Sequence, residues 1–253
     1  LTRQNFNSEV PYEANREKPF RFGNFTIMGE FYVETGLDTL GISDYKRILS
    51  LDSALAVVQF KKDNVAYQRS YFISYPANVM VMRFSADRAG MQNLVFSYAP
   101  NSISQGSLSG DGDKGLVFSA FLNNNGMKYV VCIQAETKGG TLSNTGCRLT
   151  VKGADEVVFY VTADTDYKMN FNPDFKDPKT YVGVDPAETT CQWINNAVMQ
   201  GYTALFQQHY SDYAALFNRV RLNLNPTVKT SDIPAPQRLK NYRNGQPDYY
   251  LEE

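Results

Sequence analysis

From about residue 24 to residue 160 apolar and polar positions alternate with a period of two, as in Phe25-Thr-Ile-Met-Gly-Glu-Phe-Tyr-Val and Tyr67-Gln-Arg-Ser-Tyr-Phe-Ile-Ser. That is the spacing of strands with one buried face. The stretches are rich in β-branched and aromatic residues, which suit a pleated, half-buried surface. The same pattern predicts strands over Ala54–Phe60, Val79–Ser85, Leu94–Ala99, Gly115–Phe121, Lys128–Ala135, Cys147–Val151 and Glu156–Ala163. Turn-forming runs such as Lys62-Asp-Asn, Asn123-Asn-Asn-Gly and Lys138-Gly-Gly separate them. With no helical crossovers between the strands, the pattern predicts an antiparallel β-sandwich rather than a parallel sheet.

After Asp185 the period changes. Asp185-Pro186-Ala-Glu188 places a capping carboxylate before a first-turn proline and a glutamate three residues on, the signature of a helix N-terminus. Ile194, Ala197, Val198, Gly201, Tyr202 and Leu205 then recur at three- and four-residue spacing and give one apolar face. Ser211-Asp212 is placed to cap a second, shorter helix through Ala214, Leu216 and Phe217. Val220, Leu222 and Leu224 alternate as a strand would, and beyond Pro226 prolines and polar residues read as a linker. Asp248 is placed to cap a final helical start at Tyr249. The predicted organisation is a sandwich over residues 1–184, a helical linker over 185–219, and a strand with an extended connection over 220–253.

Charge removes several classes of partner. Lys and Arg number 25 against 26 Asp and Glu, so no broad field attracts phosphate backbones or anionic lipid, and nucleic acid is excluded as the expected partner. No apolar run approaches the roughly 18 residues of a membrane span. The start, Leu1-Thr-Arg-Gln-Asn-Phe, has neither an initiator Met nor a signal-peptide layout, and the chain reads as trimmed from something longer. With 16 Phe and 17 Tyr there is ample surface to bury, which excludes a disordered chain. Cys132, Cys147 and Cys191 are too few for a disulfide scaffold and show no zinc spacing. They allow one pair, although the odd count favours buried free thiols.

Candidate chemistry is sparse. His209 is the single histidine, without nearby Cys or acid at metal spacing or a GxSxG context, and reads first as a capping or packing residue. Asp111-Gly-Asp113-Lys-Gly115 resembles the start of a calcium loop. However, Gly115, Leu116 and Leu122 stand where the third ligand, the turn glycine and the closing glutamate belong, so a hairpin turn is the expectation. Glycoside hydrolysis needs only two suitably separated carboxylates. Asp44 with Asp52, Asp164 with Asp166, and Asp174 with Asp177 are the candidate pairs, each reading first as solvated surface. Trp193 and the tyrosines could form a sugar-stacking platform, with packing the simpler duty for Trp193. Asn24-Phe-Thr26 is a glycosylation sequon of weak specificity.

Several runs occur together in order across nearly the whole chain: Phe22-Gly-Asn-Phe-Thr-Ile, Ser43-Asp-Tyr-Lys-Arg-Ile-Leu-Ser-Leu-Asp-Ser-Ala-Leu-Ala, Tyr67-Gln-Arg-Ser-Tyr-Phe-Ile-Ser-Tyr-Pro-Ala-Asn, Thr162-Ala-Asp-Thr-Asp-Tyr, His209-Tyr-Ser-Asp-Tyr-Ala-Ala-Leu-Phe-Asn-Arg-Val and Ile233-Pro-Ala-Pro-Gln-Arg-Leu. Their order and spacing resemble the N-terminal part of glycoside hydrolase family 95, which contains α-L-fucosidases and some α-L-galactosidases. Pro234-Ala-Pro236 departs from the Pro-Thr common there. The resemblance implies a large β-sandwich and a helical linker ahead of an (α/α)₆ barrel. That barrel holds the general acid and the water-activating residues of an inverting hydrolase, and none of them has a counterpart here. No catalytic, cofactor-binding or metal-binding residue is therefore assigned. The implied partners are the catalytic barrel of the same polypeptide and a glycan substrate, and the implied location is extracytoplasmic. A free-standing carbohydrate-binding or adhesion module is the rival reading, and an independent hydrolase using its own carboxylates is the third.

Overall fold

The computed structural model describes residues 26–123, 125–172, 177, 179–221 and 233–248. The chain divides into two compact units, residues 1–214 and 215–253.

The first unit holds twelve strands among the described residues: β1 (Gly29–Glu34), β2 (Ser43–Ser50), β3 (Leu55–Lys62), β4 (Val65–Ser74), β5 (Val79–Ala86), β6 (Gln92–Pro100), β7 (Ser104–Asp111), β8 (Gly115–Leu122), β9 (Lys128–Lys138), β10 (Thr141–Thr145), β11 (Arg148–Ala154) and β12 (Glu156–Thr165). They form a four-stranded sheet ordered β1-β6-β11-β10 and an eight-stranded sheet ordered β2-β3-β4-β5-β12-β9-β8-β7. Every pairing is antiparallel. The sandwich expected from the period-two pattern is the fold.

Tight turns set the register. Asp63 and Asn64, Gly139 and Gly140, and Gly146 and Cys147 each place two successive residues at positive φ. Paired positive φ values are what a two-residue hairpin between right-twisted strands requires. Cys147 is thus a turn residue ahead of β11 rather than its first member.

Two layers of core follow from side-chain alternation. Between the sheets, Phe96 and Tyr98 of β6 and Leu149 and Val151 of β11 meet Phe84 of β5, Phe118 of β8, Val131 and Ile133 of β9, and Val157, Phe159 and Val161 of β12. The intervening residues of the eight-stranded sheet point the other way. Phe72, Val79, Val81, Val130, Cys132, Val158 and Tyr160 form a second cluster with Ile194, Ala197 and Leu205 of helix α1 (Ala187–Phe217). Strand β12 is therefore covered on both faces, which is why Val157-Val-Phe-Tyr-Val161 is continuously apolar where a half-exposed strand would alternate.

Helix α1 begins as expected and breaks elsewhere. Asp185 Oδ1 accepts the Ala187 amide at 3.0 Å and its carboxylate pairs with Lys128. Glu188 does not close a capping box but accepts from Gln192 one turn on, at 3.2 Å. The interruption lies at Gly201, with φ 72° and ψ 169°, a backbone region only glycine enters readily. Ser211 and Asp212 lie inside the helix and start no new one.

In the second unit the expected linker contains a helix, α2 (Ala235–Arg243). Pro234 and Pro236 stand at its start, where a first turn has no use for their missing amide hydrogens, so these prolines begin a helix rather than prevent one. Arg238 forms a two-pronged ion pair with Asp248, at 2.8 and 2.6 Å. The helical start at Tyr249 and most of the strand at Val220 to Leu224 lie outside the described residues.

Candidate functional site

The outer face of the eight-stranded sheet has two halves. One is apolar and lies under α1. The other is a polar row built by cross-strand pairing, with Lys46 opposite Gln59, Gln59 opposite Gln68, and Gln68 opposite Ser85. These residues, with Lys61 and Arg83, line an open groove of about 800 Å³. Gln59 Nε2 donates to Gln68 Oε1 at 2.9 Å. Arg83 bonds Glu156 at 2.5 Å and lays its guanidinium over the Tyr202 ring of α1, 4.8 Å from the centroid. Glu156 holds Arg83 firmly in its charged form, shifting its pKa further up.

Both carboxylates that line this groove, Asp44 and Asp87, already have partners. Asp44 is bound to Lys61 at 2.8 Å, and that hydrogen bond and charge hold its carboxyl below the usual range. Asp87 accepts the Ala66 amide. A sugar platform would need exposed ring faces, whereas Phe60 and Tyr67, stacked 5.1 Å apart, are buried in a small cluster of their own. Sequence reading passed over the Arg83–Glu156–Tyr202 arrangement. Its signal was there, since Arg83 interrupts the outward-facing row of Val79 and Val81, and a charge in such a row needs a partner.

His209 has a packing role. His209 is buried, stacks on Phe72 with ring centroids 5.0 Å apart, and lies with Nε2 3.1 Å from the Ser53 carbonyl oxygen, to which it donates. It ties α1 to the turn between β2 and β3. Replacing His209 with alanine removes that bond and the stack, and is expected to cost about 1–3 kcal/mol of stability, read as a lower urea midpoint.

The described acids of the candidate pairs each have a place of their own. Asp44 lies on β2 and Asp52 in the turn beyond it, exposed. Asp164 accepts the neighbouring Thr165 amide at 2.8 Å, and Asp166 accepts the Lys128 amide at 3.0 Å. Asp177 accepts the Lys179 amide at 2.8 Å, and its proposed companion Asp174 is outside the described residues. Residues 112–114 form the turn of the β7–β8 hairpin, as expected for the calcium-like run. Trp193 is half-buried on α1. Asn24 is outside the described residues. Among the described residues no three His, Cys, Asp or Glu side chains converge on a metal position, and no helix is long and apolar enough to cross a membrane.

The described residues thus form a two-sheet antiparallel sandwich with a long helix packed on the outer face of its larger sheet. Residues 3–170 match the family model described as glycosyl hydrolase family 65, N-terminal domain, and the chain belongs to that family. Residues 201–253 match the model described as glycosyl hydrolase family 95 catalytic domain. The second match starts at Gly201, where α1 breaks.

The chain is similar to three curated fucosidases. It is 29% identical over 244 residues to "Probable alpha-fucosidase A" of Aspergillus niger, covering 93% of this chain and 30% of that protein. It is 25% identical to "Alpha-L-fucosidase 2" of Arabidopsis thaliana, covering 81% of this chain and 27% of that protein. It is 23% identical to "Probable alpha-fucosidase A" of Aspergillus oryzae, covering 92% and 33%. The chain thus spans about three tenths of the length of these relatives.

Proposed function

We propose that this chain is the sandwich and helical-linker portion of an exo-acting glycoside hydrolase of the α-L-fucosidase type, which supports a catalytic helical barrel of the same polypeptide rather than performing the chemistry. One observation carries the reading: between 81% and 93% of the chain aligns with the three α-fucosidases. The chemistry is compatible with this reading, because among the described residues the candidate carboxylates are bound to lysines or backbone amides or stand exposed. An inverting hydrolase needs an acid and a base roughly 6.5–9.5 Å apart across the scissile bond.

The loop between β12 and α1 adds support. Met169, Phe171 and Val184 are exposed there at 59%, 94% and 85%, a local apolar surface of the kind a covering neighbour buries. The substrate of the whole enzyme would be a terminal α-L-fucosyl or related α-L-galactosyl linkage. Its location would be extracytoplasmic.

Turnover of an aryl α-L-fucoside tests the proposal. The 253-residue chain, verified as folded by a cooperative melt, is expected to give no hydrolysis. A polypeptide that continues into a barrel-sized helical region is expected to hydrolyse the substrate with inversion. Robust turnover by the chain alone, abolished by a single Asp→Asn change, would overturn the proposal in favour of an independent hydrolase. Specific, saturable binding of free fucosylated glycans by the chain alone would favour a binding module instead.

A further inference from the structure

We propose that Cys132 and Cys191 are a disulfide-forming pair, a redox modification site at which the first turn of α1 is locked onto the eight-stranded sheet. Their sulfur atoms lie 3.8 Å apart although the residues are 59 positions apart in sequence. Cys132 projects from β9 on the sheet's outer face, within the cluster that α1 covers, and Cys191 is exposed on α1. The surroundings already hold the two elements in register. Thr162, directly opposite Cys132 on β12, donates its hydroxyl to the carbonyl of Thr190, the residue before Cys191, at 3.2 Å. Thr190 in turn donates to the Pro186 carbonyl at 2.6 Å. On the neighbouring turn, Lys128 of β9 pairs with Asp185. With the two elements held together on both sides, forming the bond requires the sulfur atoms to close from 3.8 Å to the roughly 2 Å of a covalent S–S bond.

The reaction is thiol–disulfide exchange with a low-molecular-weight disulfide such as oxidised glutathione. The exposed Cys191 thiolate attacks one sulfur of glutathione disulfide. The glutathione S–S bond breaks, one glutathione leaves as its thiolate, and a mixed disulfide remains on Cys191. Cys132 then gives up its proton to solvent and attacks the Cys191 sulfur, expelling the second glutathione thiolate. The two protein thiols lose two protons and two electrons, and the glutathione disulfide becomes two thiols. Burial, and secondarily the neighbouring Cys191, pushes the Cys132 thiol up to about 12. Exposure makes Cys191 the point of entry, and the closing step, which needs the buried thiol to lose its proton, runs faster as pH rises. Cys147 takes no part, because its sulfur is directed to the Leu108 carbonyl in another region of the sandwich.

The experiment compares the full chain reduced by a phosphine with the same chain equilibrated against oxidised glutathione. Both are denatured, alkylated and peptide-mapped, and their thermal melts are recorded before denaturation. The expected result is a Cys132–Cys191 cross-linked peptide pair, a mass lower by two hydrogen atoms, and a melting temperature higher by about 5–15 °C that returns on reduction. Cys191→Ser, a change at an exposed site, and Cys132→Ala should each abolish the shift, while Cys147→Ser should keep it. Should Cys132→Ala fail to fold, Cys191→Ser decides alone. A stable glutathione adduct on Cys191 without ring closure, a bond through Cys147, or two thiols that stay alkylatable would overturn the proposal.

Discussion

Replacing Phe159 with alanine is expected to lower the stability of the sandwich by about 3–5 kcal/mol, the range for deleting a large buried aromatic. Phe159 lies on β12, between β5 and β9 in the interior of the eight-stranded sheet, and is fully buried. Its ring stacks on Phe96 of the four-stranded sheet at 4.6 Å and meets Phe84 edge-on at 5.8 Å. Phe96 in turn lies on β6, which pairs with β1 and β11. The ring contact therefore joins the interiors of both sheets, where strands paired on each side cannot collapse into the hole. Urea unfolding should show a lower midpoint with an unchanged slope, and the melting temperature should fall by about 6–20 °C. Tyr75, 82% exposed, is the control: its alanine variant should stay within about 0.5 kcal/mol. A Phe159 variant as mild as the Tyr75 variant would mean that the two sheets do not share this core.

The strands most legible in the sequence are those buried most deeply. β12 and β9 announce themselves because side chains on both of their faces need apolar neighbours. β2, β7 and β10 gave no such signal, and each is an edge strand. Ser43-Asp-Tyr-Lys-Arg-Ile-Leu-Ser is exposed along almost its whole length, and Ser104-Gln-Gly-Ser-Leu-Ser-Gly-Asp and Thr141-Leu-Ser-Asn-Thr are exposed at most positions. Hydrophobic period reports burial, whereas an edge strand is held by backbone hydrogen bonds to one neighbour, and those carry no side-chain code. Charged and polar residues there also discourage pairing with other chains.

The helices obey the same distinction. The apolar face from Ile194 to Leu205 was legible because it packs. The break at Gly201 was harder to see, because glycine is equally at home on a tightly packed face and at a backbone interruption. The expected break at Ser211-Asp212 rested on capping propensity, which a helix already running and packed through His209 overrides. Which two of the three cysteines meet was unreadable in the sequence for a different reason. Only the pairing of β9 with β12, and the seating of α1 upon them, brings two residues so distant in sequence to one place.

Leu205→Asp is expected to be about as damaging as the Phe159 change, and in a pH-dependent manner. Leu205 is fully buried and packs in the cluster formed with Phe72, Val81 and Tyr160. Losing its apolar burial costs about 1.5–3 kcal/mol, and a carboxylate without a partner in that setting raises the total to about 4 kcal/mol or more at neutral pH. Burial disfavours the charged form, so the introduced carboxyl takes up a proton in the folded state at a higher pH than in the unfolded chain. A group with a raised folded pKa is no burden of charge below the unfolded value near 3.9, and the penalty then grows by about 1.4 kcal/mol per pH unit until the folded value is passed. Denaturant melts between pH 3.5 and pH 7, taken as differences from the parent protein, should therefore diverge as pH rises. Leu205→Asn, which cannot titrate, should show a loss independent of pH. Asp212→Ala, at a half-buried position inside α1, replaces a weak helix former with a strong one and should stay within about 0.5 kcal/mol of the parent. A neutral Leu205→Asp variant would mean that α1 does not rest on this sheet, and the support assigned to the helix would lose its basis.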